Sequence, residues 1–313
     1  MKQFLKLSCL LLFLIARTNG FCGVNGLNNT ADKKEDRGFH FGLYVGSFFA
    51  NQKAATLYNG WGIDPNTGNQ YYGDAQFSNS LMEQKILQYS GQIPGSYLPD
   101  LITPQLGVPT TGDWIFGPGD MPAIMRYQIS FMMGFNSKYN VDKNNAIIFN
   151  FNVAILKITG AFTIETPNQQ PVNSMYPTPY QLFPIIGGEQ RFMAQLGYQK
   201  VIGKNPKLNP VIEGGLNFNY AQFGKNFIRI NTLNIDLTNY YNSNPYSPFI
   251  RPRGAGLGAF AGIGLHLTMS PKWTVQLLWS PSYDKVNFGV YITGDDNKPK
   301  FQNAAGLRFY YNL

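Results

Sequence analysis

The last nine residues given are AGLRFYYNL, Ala305–Leu313. Leu307, Phe309, Tyr311 and Leu313 share one side of an alternation; Gly306, Arg308, Tyr310 and Asn312 share the other. A period of two is the signature of an extended strand. One face is aromatic and aliphatic, and the other carries an arginine. Such a strand needs a lipid-like surface on one side and a polar interior on the other. Its open edge needs a strand partner.

Working back from this stretch, seven more segments alternate in the same way. They run over about 38–50, 125–139, 145–160, 189–202, 208–223, 255–269 and 272–284, and the closing strand extends back to about Lys300. Three connections are tight and polar: NVDKN at 140–144, GKNPK at 203–207 and SPK at 270–272. They carry the Gly, Pro, Asn and Asp that turns require. The others are long, over about 50–124, 161–188, 224–254 and 285–299. Short turns alternating with long loops describe an up-and-down transmembrane β-barrel with periplasmic turns and external loops. The count is eight strands. The stretches 226–237 and 285–292 also alternate, and either extend neighbouring strands or add a pair to make ten.

The faces give the direction. Ile147, Phe149, Phe151, Val153 and Ile155 oppose Asn150 and Asn152. Tyr127, Ile129, Phe131, Met133 and Phe135 oppose Arg126, Gln128, Ser130 and Asn136. Trp273, Val275, Leu277 and Trp279 oppose Thr274, Gln276 and Ser280. An eight-stranded interior is just wide enough for side chains to fill. Eight large apolar faces overfill it, so they point outward to lipid, and the amides, glycines and charges pack the lumen. Trp273 and Trp279 are expected toward opposite edges of the apolar band. The glycines of GAGLGAFAGIG, 254–264, sit inside a strand, where small residues make room for bulky lumen neighbours such as Tyr44 or Phe48.

The N-terminus reads as a secretory signal over 1–20: Lys2 and Lys6, an apolar run from Leu7 to Ala16, then small residues. A periplasmic segment over 21–37 and a barrel domain over 38–313 follow. Loss of Lys2, Lys6 and Arg17 lowers the formal charge from +8 to +5, which is no nucleic-acid footprint. Cys9 leaves with the signal, and Cys22 remains as a free thiol. Two histidines and one cysteine offer no metal-ligand spacing, and neither a metal nor a cofactor is expected.

In plan the mature chain resembles the small Gram-negative outer-membrane barrels of the OmpX and OmpW type. GLRFYYNL resembles the terminal signal by which such barrels engage the barrel-assembly machinery, with Leu307, Phe309, Tyr311 and Leu313 as its apolar positions. Leu313 stands where that signal usually ends in Phe or Trp, and the first external loop is far longer than those barrels carry. The resemblance implies a cell-outer-membrane location, lipid around the barrel and the assembly machinery as a partner.

The ionisable set expected in the lumen is His40, Arg126, Arg191, Glu213, His266 and Arg308. Glu213 and Arg308 each lie about five residues above the periplasmic end of their strands. They are expected to meet, either as a plug, together with Arg191 and Arg126, or as a relay gate. His40 and His266 lie near the periplasmic rim. That is the wrong end for the catalytic histidine of lipid-modifying barrels, so no catalytic residue is assigned and the chain is not expected to be an enzyme. Tyr176, Tyr180, Tyr240, Tyr241 and Tyr246 lie in loops rich in Asn, Ser and Pro, a composition suited to recognition. In the first loop Ser80 and Glu83 have capping-box spacing ahead of Leu81, Met82, Ile86 and Leu87. They predict a short helix that caps the mouth or docks on a partner. The functional expectation is a structural or interaction platform that works through its extracellular loops, as an accessory subunit of a larger outer-membrane complex or beside another outer-membrane protein. The alternative is an OmpW-like channel for small or lipophilic solutes.

Overall fold

Alternating faces and short polar turns bring neighbouring strands together antiparallel. The computed structural model describes residues 38–61, 80–92, 99–167, 179–203, 205–238, 253–286 and 298–312. The signal, the 21–37 segment and Cys22 lie outside the described residues. The strands are β1 Gly38–Phe49, β2 Met125–Tyr127, β3 Ser130–Asn140, β4 Asn145–Glu165, β5 Tyr180–Val201, β6 Leu208–Ile230, β7 Leu233–Asp236, β8 Arg253–Ser270, β9 Trp273–Asp284 and β10 Lys300–Asn312. Between β1 and β2 lie a 3-10 turn, Gln52–Tyr58, and two helices, α1 Leu81–Tyr89 and α2 Ile102–Leu106.

All ten strands belong to one antiparallel sheet, and eight of them close a ring in the order β1, β3, β4, β5, β6, β8, β9, β10. The last edge is removed where β10 pairs with β1, from His40 opposite Asn312 to Phe49 opposite Asn303. β2 continues the line of β3 along β4, and β7 folds back onto the top of β6. The stretch 226–237 is therefore the head of β6 plus β7. Most of 285–292 lies outside the described residues.

The outward face is apolar, and aromatic rings gather at its two edges. At the edge beside the short turns Phe39 packs on Tyr139 at 4.8 Å between ring centroids, and Trp273 on Tyr311 at 5.1 Å. At the other edge Tyr283 packs on Phe301 at 4.7 Å. Ten residues of β9 separate Trp273 from Tyr283. At ~3.3 Å per residue and a tilt near 40° that is roughly 25 Å, the height of a membrane-spanning apolar band. Trp279 faces lipid between the two edges, so the upper edge belongs to Tyr283 and Phe301 rather than to Trp279.

Two expectations are corrected. First, the connection 161–188 is strand over 161–165 and 180–188. β4, β5 and β6 have 21, 22 and 23 residues, which at the same rise and tilt stand about 50 Å tall. They rise above the band as a wall. Second, the alternation expected across 125–139 is broken. Gln128 and Ile129 both face outward between β2 and β3. That extra residue reverses the parity, so Tyr127 turns into the barrel and Arg126 turns out of it.

Along β4 the polarity inverts. Low on the strand Ile147, Phe149, Phe151 and Ile155 point out, while Asn150 and Asn152 point in. Higher up Lys157, Thr159, Thr163 and Glu165 line the outer face, while Leu156, Ile158, Phe162 and Ile164 are buried inside. β6 does the same, from Leu216 and Phe218 outside and Asn217 and Asn219 inside to Lys225 and Arg229 outside and Ile228 and Ile230 inside. Its parity is kept in phase by one extra residue, Gly224, between the pairs Glu189–Phe223 and Gly188–Lys225. The lower part is built for lipid and the upper part for water.

Candidate functional site

The upper wall has an apolar inner face, and the first external segment fills it. Ser80 accepts a hydrogen bond from the Glu83 amide at 3.0 Å and starts α1, whose Leu81, Met82 and Ile86 are buried. They join Ile102, Leu106, Trp114 and Phe116 from the same segment, and Ile158, Phe162, Ile164, Phe183 and Ile185 from β4 and β5, in one core. The capping role predicted for α1 is the one seen. Each fully buried side chain of this size contributes about 1.5–3 kcal/mol. Polar ties add register: Gln181 donates to the Leu106 carbonyl at 3.1 Å, and the Thr163 hydroxyl donates to Asp120 at 2.7 Å.

Beneath the cap lies the first polar level. Tyr58, at the end of the 3-10 turn, reaches down into the barrel, stacked on Phe223 at 4.3 Å. Its hydroxyl donates to Glu189 Oε2 at 3.0 Å, and the Tyr127 hydroxyl donates to the same oxygen at 2.6 Å. Arg191 pairs with Glu189 and also donates to Gln302, which donates to Asp284. Asn217 and Ser282 complete the shell, each donating to Asp284 Oδ2 at 2.9 and 2.7 Å. All the charged members are buried. A carboxylate with three donors and a guanidinium whose N–H donors have acceptors is how ionic groups persist in a closed interior.

The second level lies toward the short-turn end of the barrel. Arg308 makes a two-pronged pair with Glu213, Nη1 to Oε2 at 2.6 Å and Nη2 to Oε1 at 2.9 Å. Gln199 adds a donor to Glu213 Oε2 at 3.0 Å. It is in turn linked to Gln276, which donates to His266 Nδ1 at 2.9 Å. His40 holds Asn312 through Nδ1 at 2.6 Å and accepts from Asn140 at its other nitrogen at 2.9 Å. Lys138 lies buried with its ammonium 4.7 Å from the Tyr310 ring centroid. Tyr44 lies across the level, and room for it is made by glycine. A Cβ on Gly46 or Gly306 would come within 2.6 Å of the Tyr44 hydroxyl. The glycines of 254–264 serve a different neighbour from the one expected: a Cβ on Gly262 would meet Glu213 Cγ at 2.7 Å.

Of the four residues expected to plug the lumen together, Glu213 and Arg308 meet. Arg191 belongs to the upper level and pairs with Glu189 instead. Arg126 is outside the barrel altogether, because of the parity change at Gln128–Ile129. Leu307, Phe309 and Tyr311 face outward and Leu313 lies outside the described residues. Tyr180 opens β5 on the outer face, half exposed; Tyr176, Tyr240, Tyr241 and Tyr246 lie outside the described residues. Three buried charges escaped sequence reading: Lys138, Glu189 and Asp284. Parity points to each of them, since Lys138 is two residues from Asn136, Glu189 two from Arg191, and Asp284 two from Ser282.

Comparison with known proteins adds little to this. No protein-family profile matches the chain, and no curated protein sequence does. Among solved structures, Neisserial surface protein A is 8% identical with a TM-score of 0.36, over 60% of this chain and 91% of that one. The outer membrane protein OprG from Pseudomonas aeruginosa is 8% identical with a TM-score of 0.35, over 88% of this chain and 96% of that one. AlkL, seen in lipid bilayers, is 10% identical with a TM-score of 0.29, over 93% and 98%. The chain's own two faces decide: a closed antiparallel ring of eight strands with an apolar belt of roughly 25 Å outside and polar pairs inside is an outer-membrane β-barrel.

Proposed function

We propose that this barrel is a sealed platform that presents its external half to another protein of the outer membrane. The observation that carries the reading is the folded cap. A conduit keeps its mouth open, whereas here an apolar core fills the mouth and two hydrogen-bonded ionic levels lie beneath it. The outer face of the wall supplies a contact surface well above the lipid. Ile115 bridges to Glu165, which lies opposite Tyr180, and Leu182 lies one row below opposite Thr163. Ile115, Tyr180 and Leu182 are 54%, 51% and 71% exposed on a face that also carries Lys157, Glu165, Lys225 and Arg229. Exposed aromatic and aliphatic side chains grouped this way favour a protein partner. No catalytic role is proposed, because both histidines are held by amides near the periplasmic rim. The assembly machinery is proposed to read the outward face of β10.

One observation favours passage of small solutes instead. Buried amide atoms of Asn152, Asn217 and Asn219 in mid-lumen have no protein hydrogen-bond partner. Planar-bilayer recording separates the two readings. A silent bilayer is expected, and regular single-channel steps would sink the platform. A photo-crosslinking residue at Leu182 should capture a discrete protein in native membranes, while one at lipid-facing Leu196 should not. Equal, diffuse labelling from both positions would count against the contact surface.

A further inference from the structure

The second level has more hydrogen-bond donors than acceptors. Arg308 commits both Nη groups to Glu213, which leaves its Nε–H buried without a protein partner. The Tyr310 and Thr274 hydroxyls are also buried without a well-formed hydrogen bond, Tyr310 lying against the Arg308 guanidinium. These groups are neighbours. Arg308 and Tyr310 are successive inward residues of β10, and Thr274 lies directly opposite Tyr310 on β9. The Lys138 ammonium reaches over the Tyr310 ring from β3. The ring satisfies one face of that ammonium, and among the described residues no carboxylate pairs with it. On the acceptor side stands Asn136 Oδ1, across Gly42 from Tyr310. It can take one donor.

Charge points the same way. Lys138 and Arg308 are the cationic side chains, and Glu213 the carboxylate, at this level. Its charge is already spent on the two-pronged pair. His40 and His266 bring no negative charge. A buried cation without a counter-charge is costly. Water satisfies stray donors but leaves the charge. A small anion satisfies both.

We propose that the lumen binds a small inorganic monoanion of halide size between Tyr310, Thr274, Arg308 Nε and Lys138. The packed interior of an eight-stranded ring excludes larger anions there. The ion completes the charge balance of the level and locks β3, β9 and β10 together at the seam that closes the barrel.

The test uses the full chain in detergent micelles. Crystals grown in sodium bromide, measured at the bromine absorption edge, should show an anomalous peak beside the Tyr310 hydroxyl and Arg308 Nε. In solution the heat-unfolding midpoint should rise when gluconate is replaced by chloride or bromide at constant ionic strength. That rise should vanish in Lys138→Met and persist in Lys157→Met, an exposed lysine on the outer wall. Ordered density with no bromine signal, or a midpoint indifferent to the anion, overturns the site. If Lys138→Met does not assemble, the anomalous map on the unaltered chain still decides.

Discussion

The pair Glu213–Arg308 is the residue on which the lower lumen turns. Both partners are buried, Arg308 to 2% exposure, and both prongs of the guanidinium are used. Removing one partner strands the other as a lone charge, so Glu213→Gln is expected to cost about 3–5 kcal/mol. Replacing both by methionine should be close to neutral or stabilise by about 1–4 kcal/mol, since it removes two desolvated ions at once. Urea unfolding in lipid vesicles reads both values. A Glu213→Gln barrel that unfolds at the same urea concentration as the parent would show that the pair carries no stability. This pair was legible in the sequence because each residue holds an unbroken alternation down to the periplasmic turn. Arg126 was not, because a parity argument counts residues and one extra outward residue at Ile129 reverses everything beyond it. Glu189 was missed for a third reason. It opens the segment that reads as strand over 189–202, and an alternation with nothing before it does not place its first residue in the lumen.

At the scale of elements, β4 carries two environments in one strand. Phe151 faces the belt and Ala161 faces water above it. Phe151→Arg is expected to cost about 2–4 kcal/mol, as for a charge near mid-bilayer, and Ala161→Arg close to nothing. Vesicle refolding yields and urea midpoints check this, and equal costs would refute the boundary at Lys157. The cap is held to the barrel by Tyr58, which is buried, stacked on Phe223 and bonded to Glu189. Tyr58→Ala should cost about 3–5 kcal/mol by loss of that volume and leave Glu189 short of a donor. Limited proteolysis should then cut within 80–124 while the barrel stays intact. A cap as resistant as the parent's would mean that the apolar core alone retains it. The cap helix was legible from Ser80 and its apolar spacing, yet the wall it rests on was not. Leu156, Ile158, Phe162 and Ile164 alternate like any strand, but with the opposite face apolar, and a reader tracking one outward apolar face stops at the inversion.

For the whole molecule, the closed ring makes a cheap prediction. Hydrogen bonds that run round the barrel resist detergent until heated. Unheated protein should migrate faster on a denaturing gel than boiled protein, and a single heat-independent band would contradict the ring. Variants that loosen the cap should keep this behaviour, because the ring of eight strands does not include the first external segment. Variants at Glu213 should lower the temperature at which the slower form appears.

The polarity inversion on β4 and β6 also sets a measurement. Sliding the barrel inward by one pair of residues draws Lys157 into hydrocarbon, and sliding it outward lifts Phe151 and Ile155 toward water. Either move is opposed on every tall strand at once, so the molecule has a fixed waterline. Ile115, Tyr180 and Leu182 then ride at a set height, roughly 20–25 Å above the lipid by strand rise and tilt. Any partner that meets them must bring its own contact residues to that altitude, and the barrel serves as the ruler that selects for it.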